Sequence, residues 1–222
     1  RSSAASDVYK RQVADGVVYY LGNDGVYAFD GSMPVCVSRA LGDKRYTGGV
    51  AGGESGRYWL SAVDAAGETE LLVYDTQKRL WHRQDNTAAV AFARWNGEMT
   101  VLCSDGRLLD TSGTLGTAET GFSWSAESGD LGLYTPEHKY LSRLELRLKT
   151  AAGSTVKAYV CYDGDNVWEQ VGGVSGEAGQ TRGAVLQVRP RRCGHLRLKL
   201  AGDGPCRVYS AAAVYEKGSD GP

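Results

Sequence analysis

The chain has 222 residues, with 25 Lys and Arg against 26 Asp and Glu and a formal net charge of −1. A balance this close to zero argues against a nucleic-acid-binding protein that works by bulk electrostatics, and 42% hydrophobic residues argue against a mainly disordered chain. No apolar run approaches the roughly 20 residues that a membrane-spanning helix requires. Neither nucleic acid nor membrane is therefore an expected partner.

The first stretch, Ser2-Ser3-Ala4-Ala5-Ser6-Asp7-Val8-Tyr9-Lys10-Arg11-Gln12, has neither an apolar period nor turn logic. It resembles the in-frame translation of a transposase adapter used to prepare sequencing libraries. On that resemblance residues 1–12 are non-native, the natural sequence begins near Val13, and its N-terminal side is truncated. Without this stretch the net charge moves from −1 to −3.

From Val17 onward the pattern is short strands broken by Gly, Asp and Asn. Val17–Leu21 is β-branched and aromatic, and Gly22-Asn23-Asp24-Gly25 signals a hairpin because these residues accept the positive φ of tight turns. Val26–Phe29 resumes the strand and Asp30-Gly31 ends it. Tyr58–Val63 and Glu70–Tyr74 flank a turn at Ala65–Glu68. Val90–Ala93 and Met99–Cys103 flank Asn96-Gly97, and Asp105-Gly106 turns into Arg107-Leu108-Leu109. No window holds a 3.6-residue apolar period over ten residues, so essentially no helix is expected. The stretch also repeats. Leu21, Leu60 and Leu102 occupy like positions, and each is followed by a hairpin and a strand that stops at Asp30, Asp75 or Asp110. Units of roughly 40 to 50 residues with about four strands have the period of propeller blades. Two to three such units fit before Ala118, so any further blades are expected upstream.

Composition shifts at Thr111–Thr117, a small-residue linker. Beyond it the alternation is longer. Leu144, Leu146 and Leu148 interleave with Glu145, Arg147 and Lys149; Val156, Ala158, Val160 and Tyr162 with Lys157, Tyr159 and Cys161; Leu196, Leu198 and Leu200 with Arg197 and Lys199. Such strands place one face in a core and one in solvent. Seven or eight of them in about 100 residues suit a β-sandwich or jelly roll. The expected fold is all-β: incomplete propeller-like blades over 13–118, a jelly-roll-like sandwich over 119–217, and a frayed tail at 218–222.

Candidate chemistry is sparse. The cysteines, Cys36, Cys103, Cys161, Cys193 and Cys206, are odd in number and none has Cys-x-x-Cys spacing. Cys103 and Cys161 read as buried thiols; Cys193 and Cys206 bracket a strand pair and could face each other. His82, His138 and His195 lie far apart, without ligand spacing. Gly48-Gly49-Val50-Ala51-Gly52-Gly53 lacks the Gly-Lys-Ser/Thr ending of a phosphate cradle and reads as tight turns between blade strands. Asp163-Gly164-Asp165-Asn166 lacks the twelve-residue loop and closing Glu of a calcium site and reads as a hairpin turn. Core packing is the first expectation for Trp59, Trp81, Trp95, Trp124 and Trp168. Arg189-Pro190-Arg191-Arg192 is the one basic cluster. Its ordinary reading is a solvated strand start blunted by Pro. Its functional reading is a contact in which Arg189, Arg191 and Arg192 meet a phosphate, a sulfated glycan or an acidic neighbouring subunit. No catalytic residue, cofactor or metal is expected.

Trp124-Ser125-Ala126-Glu127-Ser128-Gly129, His138–Leu144, Tyr162-Asp163-Gly164 with Trp168-Glu169, Pro190–Leu200 and Tyr215–Asp220 resemble the C-terminal β-sandwich of structural proteins from tailed bacteriophages and prophages of gut bacteria. Tyr20–Gly31 is similar to propeller-like repeats in the same kind of virion protein. The resemblance spans roughly residues 17–220 and rests on strand and turn patterns. It implies a non-enzymatic virion component in the tail or head–tail region, assembled in the bacterial host cytoplasm. Its implied partners are other virion subunits, as a homo-oligomer or ring. The alternatives are a carbohydrate-binding cell-surface module and the C-terminal part of a glycan-processing propeller enzyme.

Overall fold

In the computed structural model, described for residues 11–42, 44–54, 56–111, 121–134, 137–176 and 181–218, the regular elements are β-strands apart from one 3-10 turn at Arg39–Leu41. The protein is all-β. It divides into two compact units, residues 1–118 and 119–222.

The first unit is a series of antiparallel meanders. β1 (Arg11–Ala14), β2 (Val17–Leu21), β3 (Val26–Phe29) and β4 (Val35–Cys36) pair in that order as a first sheet. β5 (Tyr46–Glu54), β6 (Arg57–Asp64), β7 (Thr69–Asp75) and β8 (Leu80–Asp85) form a second, and β9 (Ala89–Trp95), β10 (Glu98–Cys103) and β11 (Leu108–Asp110) a third. The hairpins at Asp15-Gly16 and Asn96-Gly97 have both residues at positive φ, the geometry that matches strand twist in two-residue turns. Arg11 and Gln12, part of the adapter-like stretch, pair with Tyr20 and Tyr19; residues 1–10 lie outside the described residues.

The sheets stack through their first strands, with β5 against both β1 and β9. β6 and β7, the central strands of the second sheet, are buried on both faces. Tyr58, Leu60, Ala62, Leu72 and Tyr74 pack with Ala14, Tyr19, Leu21 and Val26 of the first sheet. Trp59, Leu71 and Val73 pack with Met99 of the third. This is why Tyr58–Ala62 is an unbroken buried run, whereas strands covered on one face alternate.

The glycine-rich stretch is corrected by this stacking. Gly48–Gly53 lies within β5 and is not a turn. A Cβ at Gly52 would stand 2.5 Å from the Cβ of Phe92, and one at Gly53 would stand 2.8 Å from the Val13 carbonyl oxygen. Neighbouring first strands therefore close on β5 from both sides, and glycine leaves the room they need. β1, β4 and β8 were not expected either. β8 is largely exposed and shows no apolar alternation.

One buried charge is built into the second sheet. Glu70 on β7 is 5% exposed. It accepts hydrogen bonds from Lys44 Nζ at 2.6 Å and the Tyr46 hydroxyl at 3.0 Å, with the Arg83 guanidinium at 3.4 Å. Burial alone would raise its carboxyl, but these donors and charges outweigh it and hold the group below the usual carboxylate range.

The second unit is a sandwich. One sheet has the order β12 (Ser123–Glu127), β18 (Leu196–Asp203), β14 (Thr155–Tyr162), β15 (Glu169–Ser175). In the other, β13 (Lys139–Thr150) pairs with β16 (Thr181–Gln187), with the two-residue β17 (Arg192–Cys193), and from end to end with β19 (Cys206–Lys217). Leu141, Leu144, Leu146 and Leu148 face Ala158, Val160, Tyr162, Leu196 and Leu200 in one core. A register shift between Leu141 and Arg143 resets the strand's phase, which keeps Leu141 and Leu144 on the same side despite their odd spacing.

Two outcomes follow for stability. Gly52→Ala and Gly53→Ala each lower the unfolding free energy by about 1–3 kcal/mol through overpacking. Gly183→Ala, where a Cβ meets nothing within 4 Å, changes it by less than about 0.5 kcal/mol; chemical denaturation measures all three. Because the Glu70 carboxyl is depressed in the fold, its contribution is complete above the unfolded value of roughly 4.3 and lost as pH falls through the folded value. Glu70→Gln therefore costs about 1–3 kcal/mol at pH 7 and flattens the acid limb of a stability-versus-pH series.

Candidate functional site

The structure separates the three arginines of the basic cluster. Arg191 binds Glu169 at 2.9 Å and Asp165 at 3.4 Å, with its guanidinium 5.2 Å from the centre of the Tyr162 ring. It clamps the β14–β15 connection to the segment before β17. Arg192 opens β17 opposite Tyr140, and Arg189 precedes it; both are exposed, and neither has an ion pair among the described residues. Arg189 and Arg192 remain open to a partner, whereas Arg191 is already engaged.

A second cluster was not singled out from the sequence. Strand register puts Glu127, Lys199 and Tyr159 in one row across β12, β18 and β14, with Arg197 beside Cys161 two positions along. Lys199 Nζ lies 4.5 Å from the Trp168 ring centre and 5.5 Å from that of Tyr159, and the Arg197 guanidinium is 5.2 Å from Trp168. Arg197 donates to Asn166 Oδ1 at 2.7 Å, and Lys199 lies 3.6 Å from Glu127. Both rings are half-buried. Each cation–π contact contributes about 0.5–1 kcal/mol near a surface. The face is a fixed aromatic and cationic surface. Its signal was the alternation of Arg197 and Lys199 with leucines, but Trp168 joins it from a loop.

Asp163-Gly164-Asp165-Asn166 is the turn after β14. Asp163 Oδ1 accepts the amide N–H groups of Gly194 and His195, and Asp165 Oδ1 accepts that of Val167. Asp163, Gly164 and Asn166 all have positive φ. His195 approaches Asp163 at 3.7 Å and Asp130 at 3.9 Å. Among the described residues no three His, Cys, Asp or Glu converge to hold a metal. Burial pushes the Tyr162 hydroxyl up to about 12.

Cys193 and Cys206 do not face each other, and the expectation of core packing for every tryptophan is corrected. All five cysteines are free. Cys193 pairs opposite Lys139 and Cys206 opposite Thr150, the two ends of β13. That strand spans about 36 Å at roughly 3.3 Å per residue, far beyond the reach of a disulfide. Burial raises both thiols. Trp59 is core, and Trp81 and Trp124 donate to the Val37 and Gly204 carbonyls, but Trp95 is 68% exposed. It shares a face with Ala91 and Ala93, which points away from the second sheet.

That face belongs to a larger feature of the first unit. Register places Ala91, Leu102 and Leu108 in one row on the outer side of the third sheet, and Trp95 with Glu98 in another. Leu102 and Leu108 are 37% and 64% exposed; Thr100, between Ala93 and Asp110, is buried. Leu102 thus faces outward although Leu21 and Leu60, its repeat equivalents, are core. On the outer side of the first sheet, Val13, Val18 and Phe29 form one row and Arg11, Tyr20, Tyr27 and Cys36 another. Val13 and Phe29 are 61% and 38% exposed, and the Tyr20 and Tyr27 rings stack at 5.7 Å.

No known protein family matches this sequence, and no curated protein matches it. Solved structures with some likeness include exo-beta-1,3-galactanase from Phanerochaete chrysosporium. Two variants with beta-1,3-galactotriose each give 9% identity and a TM-score of 0.28, and a structure with galactose gives 9% and 0.25. The alignments cover 87% of this chain and 65% of that protein, so the chain spans under two thirds of its length. At such scores the likeness carries neither fold nor activity across.

For the arginine clamp, Arg191→Gln is expected to lower stability by less than about 1 kcal/mol in thermal unfolding, because Glu169 and Arg191 are both about half exposed and solvent screens the pair.

Proposed function

We propose that this protein is a non-enzymatic structural module that works by presenting rigid β surfaces to neighbouring subunits in a virion, in the tail or head–tail region. The observation that carries the reading is the grouping of exposed apolar side chains. Val13 and Phe29 on one outer sheet face, and Leu102, Leu108 and Trp95 on the other, fall in rows fixed by strand register. Scattered surface hydrophobes mean little, but contiguous apolar faces mark surfaces that another protein covers. Arg189 and Arg192 supply the exposed cations typical of interface anchors. The virion setting comes from the resemblance of Trp124–Gly129, His138–Leu144 and Pro190–Leu200 to phage structural proteins.

A carbohydrate-binding module is the second reading. Trp168 and Tyr159 favour it, lying on one sandwich face near Asn166. Against it, Lys199 and Arg197 already occupy positions over the Trp168 ring, which sugar stacking would require to be open.

Immunogold labelling of purified particles from a sample carrying the gene tests the first reading. Gold at the tail or head–tail joint is the expected result. Label confined to cell surfaces, or absent from particles, would overturn it.

A further inference from the structure

Three turns of the first unit converge around one cavity. They are the β1–β2 hairpin at Asp15-Gly16, the β3–β4 connection with Asp30 and Met33, and the β7–β8 turn with Thr76, Gln77 and Arg79. Asp15 ties the first turn to the third: its Oδ2 accepts the Thr76 hydroxyl at 2.8 Å and the Gly56 amide N–H at 3.0 Å. Asp30 Oδ1 accepts both the amide N–H and the hydroxyl of Ser32, which fixes the second turn. The cavity holds about 500 Å³, within the roughly 300–1,000 Å³ of small-ligand sites. It lies at the Asp15 end of β1, whereas Arg11 pairs with Tyr20 at the other end.

Its lining is part apolar and part polar. Val17, Val35 and Val37 supply the apolar part. Tyr19 and Tyr74 are its buried members, 6% and 5% exposed, with ring centres 5.7 Å apart. Neither phenol hydroxyl has a hydrogen-bond partner among the described residues. Burial is the chief influence raising both above the usual phenol value, so they keep their protons and can donate as well as accept. A ligand that bonds them recovers what a desolvated polar group otherwise loses.

Charge selects the class of ligand. The Arg79 guanidinium and the Gln77 side-chain amide are exposed and have no partner among the described residues. A simple anion would meet Asp15 and Asp30, and a simple cation would meet Arg79. Phenols, carboxylates, amide and guanidinium are satisfied together by a neutral molecule that donates and accepts at several points. The valines ask in addition for an apolar face. A pyranose ring offers both, with hydroxyls around its rim and C–H groups on its faces.

We infer that this cavity binds a neutral saccharide unit, its hydroxyls bonded by Tyr19, Tyr74, Asp30 and Arg79 and its C–H face set against Val17, Val35 and Val37. The place differs from the Trp168 face, where Lys199 and Arg197 already cover the ring. The inference goes beyond the assembly reading and does not depend on it.

Saturation-transfer NMR of the whole chain with the methyl glycosides of glucose, galactose, mannose and N-acetylglucosamine tests it. At least one is expected to bind saturably, with a Kd below about 10 mM. Tyr19→Phe and Tyr74→Phe each remove a hydroxyl that no described protein group uses, so both variants are expected to fold. Each should weaken binding about 3- to 10-fold, and the two together at least about 10-fold. Arg79→Gln, at an exposed position, is expected to weaken it at least about 3-fold.

No saturable binding of any of the four below about 50 mM overturns the inference. So does binding that the double tyrosine variant leaves unchanged. Loss of binding in Trp168→Ala with retention in the tyrosine variants would move the saccharide to the sandwich and overturn it too. Glycine binding more tightly than every glycoside would assign Asp30 and Arg79 to a zwitterion, with the same consequence. Whether gold marks particles is independent of each of these results.

Discussion

A sheet gains stability by burying a face, and it can do so only where a second sheet lies close enough to exclude water. Each unit of this protein is arranged around that demand. In the first, the second sheet supplies both of its faces, and the distance of approach is set at β5, where Gly52 and Gly53 admit Phe92 from one side and the Val13 backbone from the other. In the second, β13 brings four leucines to the facing sheet, and the register shift after Leu141 keeps them in phase. Charge is fitted around these faces. Glu70 is buried only because Lys44, Tyr46 and Arg83 converge on it.

Much of this was legible from local chemistry. Val17–Leu21 and Val26–Phe29 are bounded in the structure where Gly22 and Asp30 bound them in the sequence, and Asn96-Gly97 turns as its positive φ values require. The propeller-like repeat appears as sequential meanders that stack through their first strands. What escaped were features that depend on neighbours distant in sequence. Glycine is disfavoured in strands, so β5 looked like a turn until the approach of β1 and β9 supplied the reason. β8 has no buried face to impose a period. Trp95 looked like core because tryptophan usually is, but its parity in β9 turns it outward.

The candidate surfaces followed the same rule. The Arg189, Arg191 and Arg192 cluster was visible as a run of charge, yet its division into a clamped residue and two open ones depends on Glu169 and Asp165, some 22 and 26 positions away. The Cys193–Cys206 juxtaposition looked feasible because the residues flank one strand pair. Only the pairing of each with opposite ends of β13 separates them. The cation–aromatic face around Trp168 combines a loop with β14 and β18, and no sequence window contains it.

The ladder between β13 and β19 has a mechanical meaning. It runs antiparallel from Lys139 opposite Lys217 to Thr150 opposite Cys206, with two register shifts along the way. Because Lys139 and Lys217 stand side by side at one end, a pull that draws those two ends apart opens the rungs one after another, and the Thr150–Cys206 end is the last to yield.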